Sequence, residues 1–253
     1  PIGQWVTGYL GWQSHAIVHG NELEKLDSAE TDVKTALGVL GMPGRTAWFG
    51  LMDAGKPKPG ETVVVSGAAG AVGSLVVQFA AKAGCQVVAI AGSEEKCQWL
   101  SSIGADVTLN YRDYPAAGQM LAALKDKVSG VDVYFDNTSG RISDLVVPRI
   151  NKNARIVICG TASVSNWQPW PTGPRVERHL LNKTATMQGF LVWDYESRYE
   201  EAVAYLAQQI RERRLNYREE VLDGIEAAPD AIAGLYRGEN VGKRLIRLHD
   251  EIA

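Results

Sequence analysis

Residues 62–74 read Thr62-Val63-Val64-Val65-Ser66-Gly67-Ala68-Ala69-Gly70-Ala71-Val72-Gly73-Ser74: four strand formers, a turn of small residues, then a helix start. The free N–H groups of a helix start attract anions, so the chemistry on offer is a phosphate cradle. The glycines fall in a G-x-x-G-x-x-G spacing. That gives the close approach to Gly70, the helix packing to Gly73 and the tight turn to Ala68 or Ala69. A tight strand-to-helix connection favours glycine by itself, so the dinucleotide reading depends on a βαβ context around it. The end of the next strand is the second informative position. There, about 20 residues after the turn, an acid normally takes the ribose 2′-hydroxyl of NAD. Here it is Ala91-Gly92-Ser93, with Glu94 and Glu95 placed where the first turn of a helix welcomes negative charge. Ser93 and Lys96 instead offer a hydroxyl and a cation to a 2′-phosphate, which favours NADP(H), although a helix-surface lysine is often merely solvated.

The elements that must position these groups alternate regularly. Strands are expected at residues 62–65, 86–91, 106–109, 131–135, 154–159 and 186–192. Helices are expected at 71–83, 94–102, 117–127, 142–150, 173–181 and, long and amphipathic, at 196–214. Short β-branched strands without polar alternation belong to a parallel sheet covered on both faces, so the fold class is α/β, doubly wound. Strand ends in such a sheet carry ligands, which draws in Asn137, Cys159 and Val192. Residues 1–30 and the tail from 216 read as short turn-rich strands of a smaller lobe, apart from a helix at 228–236 and a closing strand at 244–248. The expected divisions are therefore 1–30, 31–215 and 216–253.

Composition narrows the classes. A net charge of -3 with 22% charged residues marks neither a nucleic-acid nor an anionic-membrane surface, so the partner is a small molecule. Cys85, Cys97 and Cys159 lack C-x-x-C spacing and form no paired framework, which points to a reducing, cytoplasmic setting. No run of about 18 apolar residues offers a membrane span. The sequence opens at Pro1 inside what reads as strand and turn, so further N-terminal residues are expected. His15 and His19 have helical ligand spacing, but Ala16-Ile17-Val18 between them reads as strand. The loop Trp167-Gln168-Pro169-Trp170-Pro171 is either a rigid surface loop or a lid.

Leu40-Gly41-Met42-Pro43-Gly44-Arg45-Thr46-Ala47-Trp48, the glycine turn, Ala91-Gly92-Ser93 with Lys96, Phe135-Asp136-Asn137 and Gly238-Glu239-Asn240-Val241-Gly242-Lys243 occur in this order. Together they resemble the zinc-independent medium-chain reductases of the prostaglandin reductase, leukotriene hydroxydehydrogenase and curcumin reductase type. The resemblance implies a Rossmann domain with part of a smaller, mainly β, GroES-like lobe. It implies NADPH-dependent reduction of the double bond in α,β-unsaturated ketones and aldehydes, without metal, by a homodimer. It sets Gly70, Ala71, Val72 and Gly73 on the pyrophosphate, Ser93 and Lys96 on the 2′-phosphate, Tyr111 near the adenosine ribose-phosphate, and Asn137 beside the cofactor. Cys159, Gly160 and Thr161 would follow the nicotinamide half, Phe190, Leu191 and Val192 its carboxamide, and Asn240 would close the pocket. Met42 stands where zinc-dependent relatives carry a cysteine ligand, and a thioether is a poor zinc donor. The family's Ser-x-Tyr-Asn run is here Ser163-Val164-Ser165-Asn166, which makes Ser165 the catalytic candidate. Quinone reduction and cofactor binding without turnover stand as alternatives. Replacing Ser165 by Ala is expected to lower enone turnover with NADPH; turnover equal to the parent's would remove Ser165 from the chemistry.

Overall fold

The computed structural model describes residues 2–26, 32–164, 166 and 168–249. It opens on a short antiparallel ladder, β1 (Val6–Thr7) with β2 (Glu24–Lys25), in which Val6 faces Lys25. Helix α1 (Met42–Phe49) follows and runs straight into a π-helical turn, Gly50–Gly55. Gly41 precedes α1, and Pro43 lies in its first turn, where its fixed φ is preorganised and its missing N–H is not needed. Lys56, at φ +45°, ends the π turn, and the Arg155 guanidinium takes up the carbonyls of Gly55 and Lys56, both at 2.9 Å.

The main sheet is built from β3 (Thr62–Val65), β4 (Gln86–Ala91), β5 (Val107–Asn110), β6 (Val131–Asp136), β7 (Ile150–Ile158) and β8 (Thr186–Gly189). All pairs are parallel and the order is β5-β4-β3-β6-β7-β8. Helices α2 (Gly73–Lys82), α3 (Glu94–Ser102), α4 (Ala117–Lys127), α5 (Gly140–Val146) and α6 (Glu177–Lys183) make the crossovers. The chain moves outward from β3 to β5, then returns to lay β6 on the other side of β3. The carboxyl ends of β3 and β6 therefore flank the reversal of direction, where an open α/β sheet leaves a crevice.

Both faces of the sheet are buried at its centre, along β3, β4 and β6. Val63, Val65, Val133 and Phe135 belong to one apolar cluster with Leu51, Leu75, Val76 and Phe79. Val64, Ile90 and Tyr134 belong to the other, with Met120, Leu124 and Val146. This accounts for strands without polar alternation; each fully buried Val or Leu contributes about 1.5–3 kcal/mol.

Several boundaries differ from expectation for identifiable reasons. The helix expected at 142–150 stops at Val146 because Pro148 lies in a 3-10 turn, Val147–Arg149, and β7 starts at once with Ile150. The strand expected to reach residue 192 stops at Gly189, and Val192–Arg198 is a 3-10 segment leading into α7 (Tyr199–Arg211). Ala16, Ile17 and Val18 are irregular rather than strand. The tail makes a second parallel pair, β9 (Glu219–Asp223) with β10 (Lys243–Arg247), joined through α8 (Ala228–Tyr236). A lone parallel bridge, Gly70 with Gly242, ties this tail to the glycine turn.

Candidate active site

The crevice between β3 and β6 is organised by Asp136, the fully buried last residue of β6. Its Oδ1 accepts from Ser66 Oγ at 2.9 Å, from the Thr138 N–H at 3.0 Å and from the Ser139 N–H at 2.8 Å, while Oδ2 accepts from Ser143 Oγ. Asn137 is drawn into the same knot. Its N–H donates to Ser66 Oγ at 3.0 Å and its side-chain amide to the Ser66 carbonyl at 2.8 Å. Asn137 thus lies against the glycine turn, beside the crevice.

Within the turn the glycines differ. Gly67 has φ +57°, a left-handed conformation that glycine takes without strain. At Gly73 a Cβ would stand 2.7 Å from Ala68 Cα, so the helix packs against the turn only without a side chain. At Gly70 a Cβ would meet only the Gly67 carbonyl oxygen, at 3.4 Å. The fold itself tolerates a side chain there, and the open space is what a group lying over the turn would occupy. Ala71 and Val72 follow directly before α2, in whose first turn the Ser74 N–H donates to the Gly70 carbonyl and the Leu75 and Val76 N–H groups to that of Val72, each at 3.1 Å. The tail covers the opposite flank. The Gly242 N–H donates to the Ala69 carbonyl at 2.8 Å, and Asn240 is folded back by its own bond to the Gly242 carbonyl at 2.8 Å.

At the end of β4 a second cluster forms. Ser93 caps α3 by accepting from the Lys96 N–H at 3.3 Å, and Glu94 and Glu95 are exposed in the first turn. Lys96 is only 8% exposed, and its ammonium donates to the Gly238 carbonyl at 2.6 Å. Among the described residues no carboxylate reaches ion-pair distance of it. Burial first, then the charge of Arg112, holds this ammonium below its ordinary value. The Tyr111 hydroxyl closes the cluster, standing 2.9 Å from where a Cβ on Gly92 would be. A buried cation near Arg112 and Arg244, offset by Glu220 and Glu95 only from beyond ion-pair distance among the described residues, is an environment that suits a ligand anion. Sequence reasoning missed Arg112, whose guanidinium donates to the Arg237 carbonyl at 3.0 Å across 125 residues of chain.

On the other side of the crevice the Cys159 and Gly160 N–H groups donate to the Asp136 carbonyl at 2.8 and 3.1 Å. Thr161 follows at the rim, exposed. Phe190 leaves β8 and lays its ring over Gly50, where a Cβ would come within 2.5 Å of it. Leu191 is exposed and Val192 buried. Ser165 and Trp167 lie outside the described residues. A larger cleft, about 1160 Å³, runs between residues 7–13, 21–26, α1, α7 and β10. It includes none of the expected cofactor residues, and the perturbed groups and the strand ends identify the β3–β6 crevice as the candidate site.

The zinc-binding dehydrogenase family profile matches residues 71–208. A 252-residue alignment with the NADPH-dependent curcumin reductase of Escherichia coli is 41% identical, covering 97% of this chain and 72% of that protein. Prostaglandin reductase 1 of Bos taurus is 42% identical over 254 residues, 98% of this chain and 76% of the relative. The crystal structure of CurA from Vibrio vulnificus in complex with NADPH superposes with a TM-score of 0.88 at 39% identity, over 99% of this chain and 75% of that one. The chain belongs to the medium-chain dehydrogenase/reductase family. Within it, the relatives matched are prostaglandin and curcumin reductases.

The zinc in the profile's name finds no fit. Among the described residues no three His, Cys, Asp or Glu side chains gather to hold a metal. His19 accepts from the Asn21 N–H as the cap of a 3-10 turn, and His15 faces the ring of His249 at 5.3 Å. Asp136 was legible only as part of a motif, and nothing in the sequence announced how many donors converge on it. For Cys159, burial and then the Asp136 charge push the thiol up to about 12, and burial raises Cys85 and Cys97 too. Folded protein at pH 8 is therefore expected to react slowly with iodoacetamide at all three positions, with rapid labelling after denaturant; a fast-labelling Cys159 in the folded state would contradict this. The sign is that of a raised thiol: labelling of the folded chain accelerates as pH climbs toward the shifted value.

Proposed function

We propose that this chain is an NADPH-dependent reductase of the carbon–carbon double bond in α,β-unsaturated ketones and aldehydes. The observation that carries the cofactor choice is Lys96, a buried ammonium without a carboxylate partner among the described residues, at the strand end where NAD-binding sheets carry an acid. Ser93 and Tyr111 join it around the 2′-phosphate. Gly70, Ala71, Val72 and Gly73 receive the pyrophosphate at the turn that opens α2, with Asn137 and Asn240 on either flank. Cys159, Gly160 and Thr161 line the nicotinamide, and the backbone of Phe190, Leu191 and Val192 faces its carboxamide. NADPH, when bound, supplies a hydride for the β-carbon of the substrate. Ser165 offers a hydroxyl to the substrate carbonyl; being shorter than a tyrosine, it acts directly on a close substrate or through one water.

The related curcumin, prostaglandin and 2-alkenal reductases support the substrate class by their named activities. The substrate is a small molecule, and no helix among the described residues is long and apolar enough to cross a membrane. Three free cysteines suit a reducing cytoplasmic compartment. A homodimer through the free edge of β8 is favoured by that strand's exposed residues and by Leu181, Met187 and Leu191 around it.

Two measurements test this reading. The parent protein is expected to consume NADPH when given a simple enone, and Lys96→Ala to weaken NADPH binding about 10- to 100-fold while leaving NADH binding unchanged. Equal losses for both nucleotides would sink the 2′-phosphate assignment. In sedimentation velocity the parent should run as a dimer and Met187→Lys as a smaller species, whereas a parent monomer would exclude the β8 interface.

A further inference from the structure

Asp136 is the one buried carboxylate in the crevice that the reading above leaves without a task. It is enclosed completely, and its partners come from three separate stretches of chain: Ser66 in the glycine turn, Tyr134 in β6 with Thr138 and Ser139 after it, and Ser143 in α5. None of these partners is a cation, so among the described residues the carboxylate is compensated by directed hydrogen bonds. That makes its energy sensitive to the placement of every donor.

The Thr138–Gly140 turn shows what this achieves. Ser139 has φ +58° and ψ -161°, a region essentially reserved for glycine, and Gly140 follows at φ +61°. A serine held there is strained, and the two N–H bonds to Oδ1 oppose its relaxation. So held, the turn aims its groups at the segment after β7. Ser139 Oγ donates to the Gly160 carbonyl at 3.2 Å, and Ser163 Oγ donates to the Thr138 and Ser139 carbonyls at 2.7 and 2.8 Å. The Ser163 N–H adds a bond to the Thr138 carbonyl at 2.9 Å. On the other side Ser66 carries the same carboxylate to Asn137 and the glycine turn.

We propose that Asp136 is the positioning residue that sets the pyrophosphate turn and the nicotinamide-side segment Cys159–Val164 in fixed relation to each other. The proposal rests on the functional reading above. Asp136 touches neither cofactor nor substrate; it acts through Ser66 on one side and through Ser139 on the other.

The test uses Asp136→Asn, the milder Ser66→Ala, and Leu124→Ala, a core truncation in α4 that lowers stability away from the crevice. Amide hydrogen exchange at Cys159, Gly160 and Ser163 and NADPH affinity by calorimetry are the readouts. Asp136→Asn is expected to speed exchange at those amides and weaken NADPH about 10- to 100-fold, and Ser66→Ala to weaken NADPH about 2- to 10-fold. Leu124→Ala should lower the melting temperature and leave both readouts at the parent's values. If Asp136→Asn fails to fold, Ser66→Ala against Leu124→Ala decides the matter. Unchanged exchange and affinity in Ser66→Ala, or losses in Leu124→Ala that match its own, would overturn the proposal. A parent that binds NADPH but reduces no enone would overturn the functional reading instead, while the exchange comparison still decides this one.

Discussion

A carboxylate shut away from water has to be met by hydrogen-bond donors, and at the carboxyl end of β6 the protein meets one with neutral groups only. Leaving such a group unsatisfied costs about 1–3 kcal/mol per missing bond, more for a charge, so the donors cannot drift. Ser66 must sit at the end of β3, the turn after β6 must bend through positive φ at Ser139 and Gly140, and α5 must begin close enough for Ser143 to reach Oδ2.

The second organising feature is the way distant chain is folded over the sheet. Gly242 bonds to Ala69, Lys96 to the carbonyl of Gly238, and Arg112 to that of Arg237. The tail therefore completes both the glycine turn and the cationic cluster. Burial and then the charge of Arg112 hold the Lys96 ammonium below its ordinary value, and its hydrogen-bond partner is a carbonyl, with no carboxylate at ion-pair distance among the described residues. A phosphate dianion at that point would supply counter-charge, which is the ground for proposing the 2′-phosphate there.

An NADPH-dependent curcumin reductase and a prostaglandin reductase 1 are about 40% identical to this chain over nearly all of it. In the sequence, Met42 lies inside the motif that resembles the zinc-independent reductases, and Ser165 is the departure from their run. Cys159 illustrates how position governs chemistry. A thiol at a strand end beside the crevice looks reactive, yet burial and the Asp136 charge keep its proton on.

The local pattern determined a good deal. Runs such as Thr62–Val65 and Gln86–Ala91 are short, β-branched and bounded by turn residues, so strand, crossover and parallel sheet follow from propensity and periodicity. The absence of an acid after Ala91 is likewise written in the sequence and survives folding unchanged, since it concerns one strand end. Helix α1 was signalled only by Gly41 and Pro43, and the π turn after it by nothing local, because its end depends on Arg155 reaching back to Gly55 and Lys56. The strand at 186–192 ended early, since where β8 stops is set by its pairing with β7 and by Phe190 finding room over Gly50. Tertiary structure alone decided that Asp136 would be fully enclosed, that Lys96 would lack a carboxylate partner and that Gly242 would lie on the glycine turn. Each of these is a relation between residues about 70 or more positions apart, and no local propensity encodes what a side chain meets across that distance.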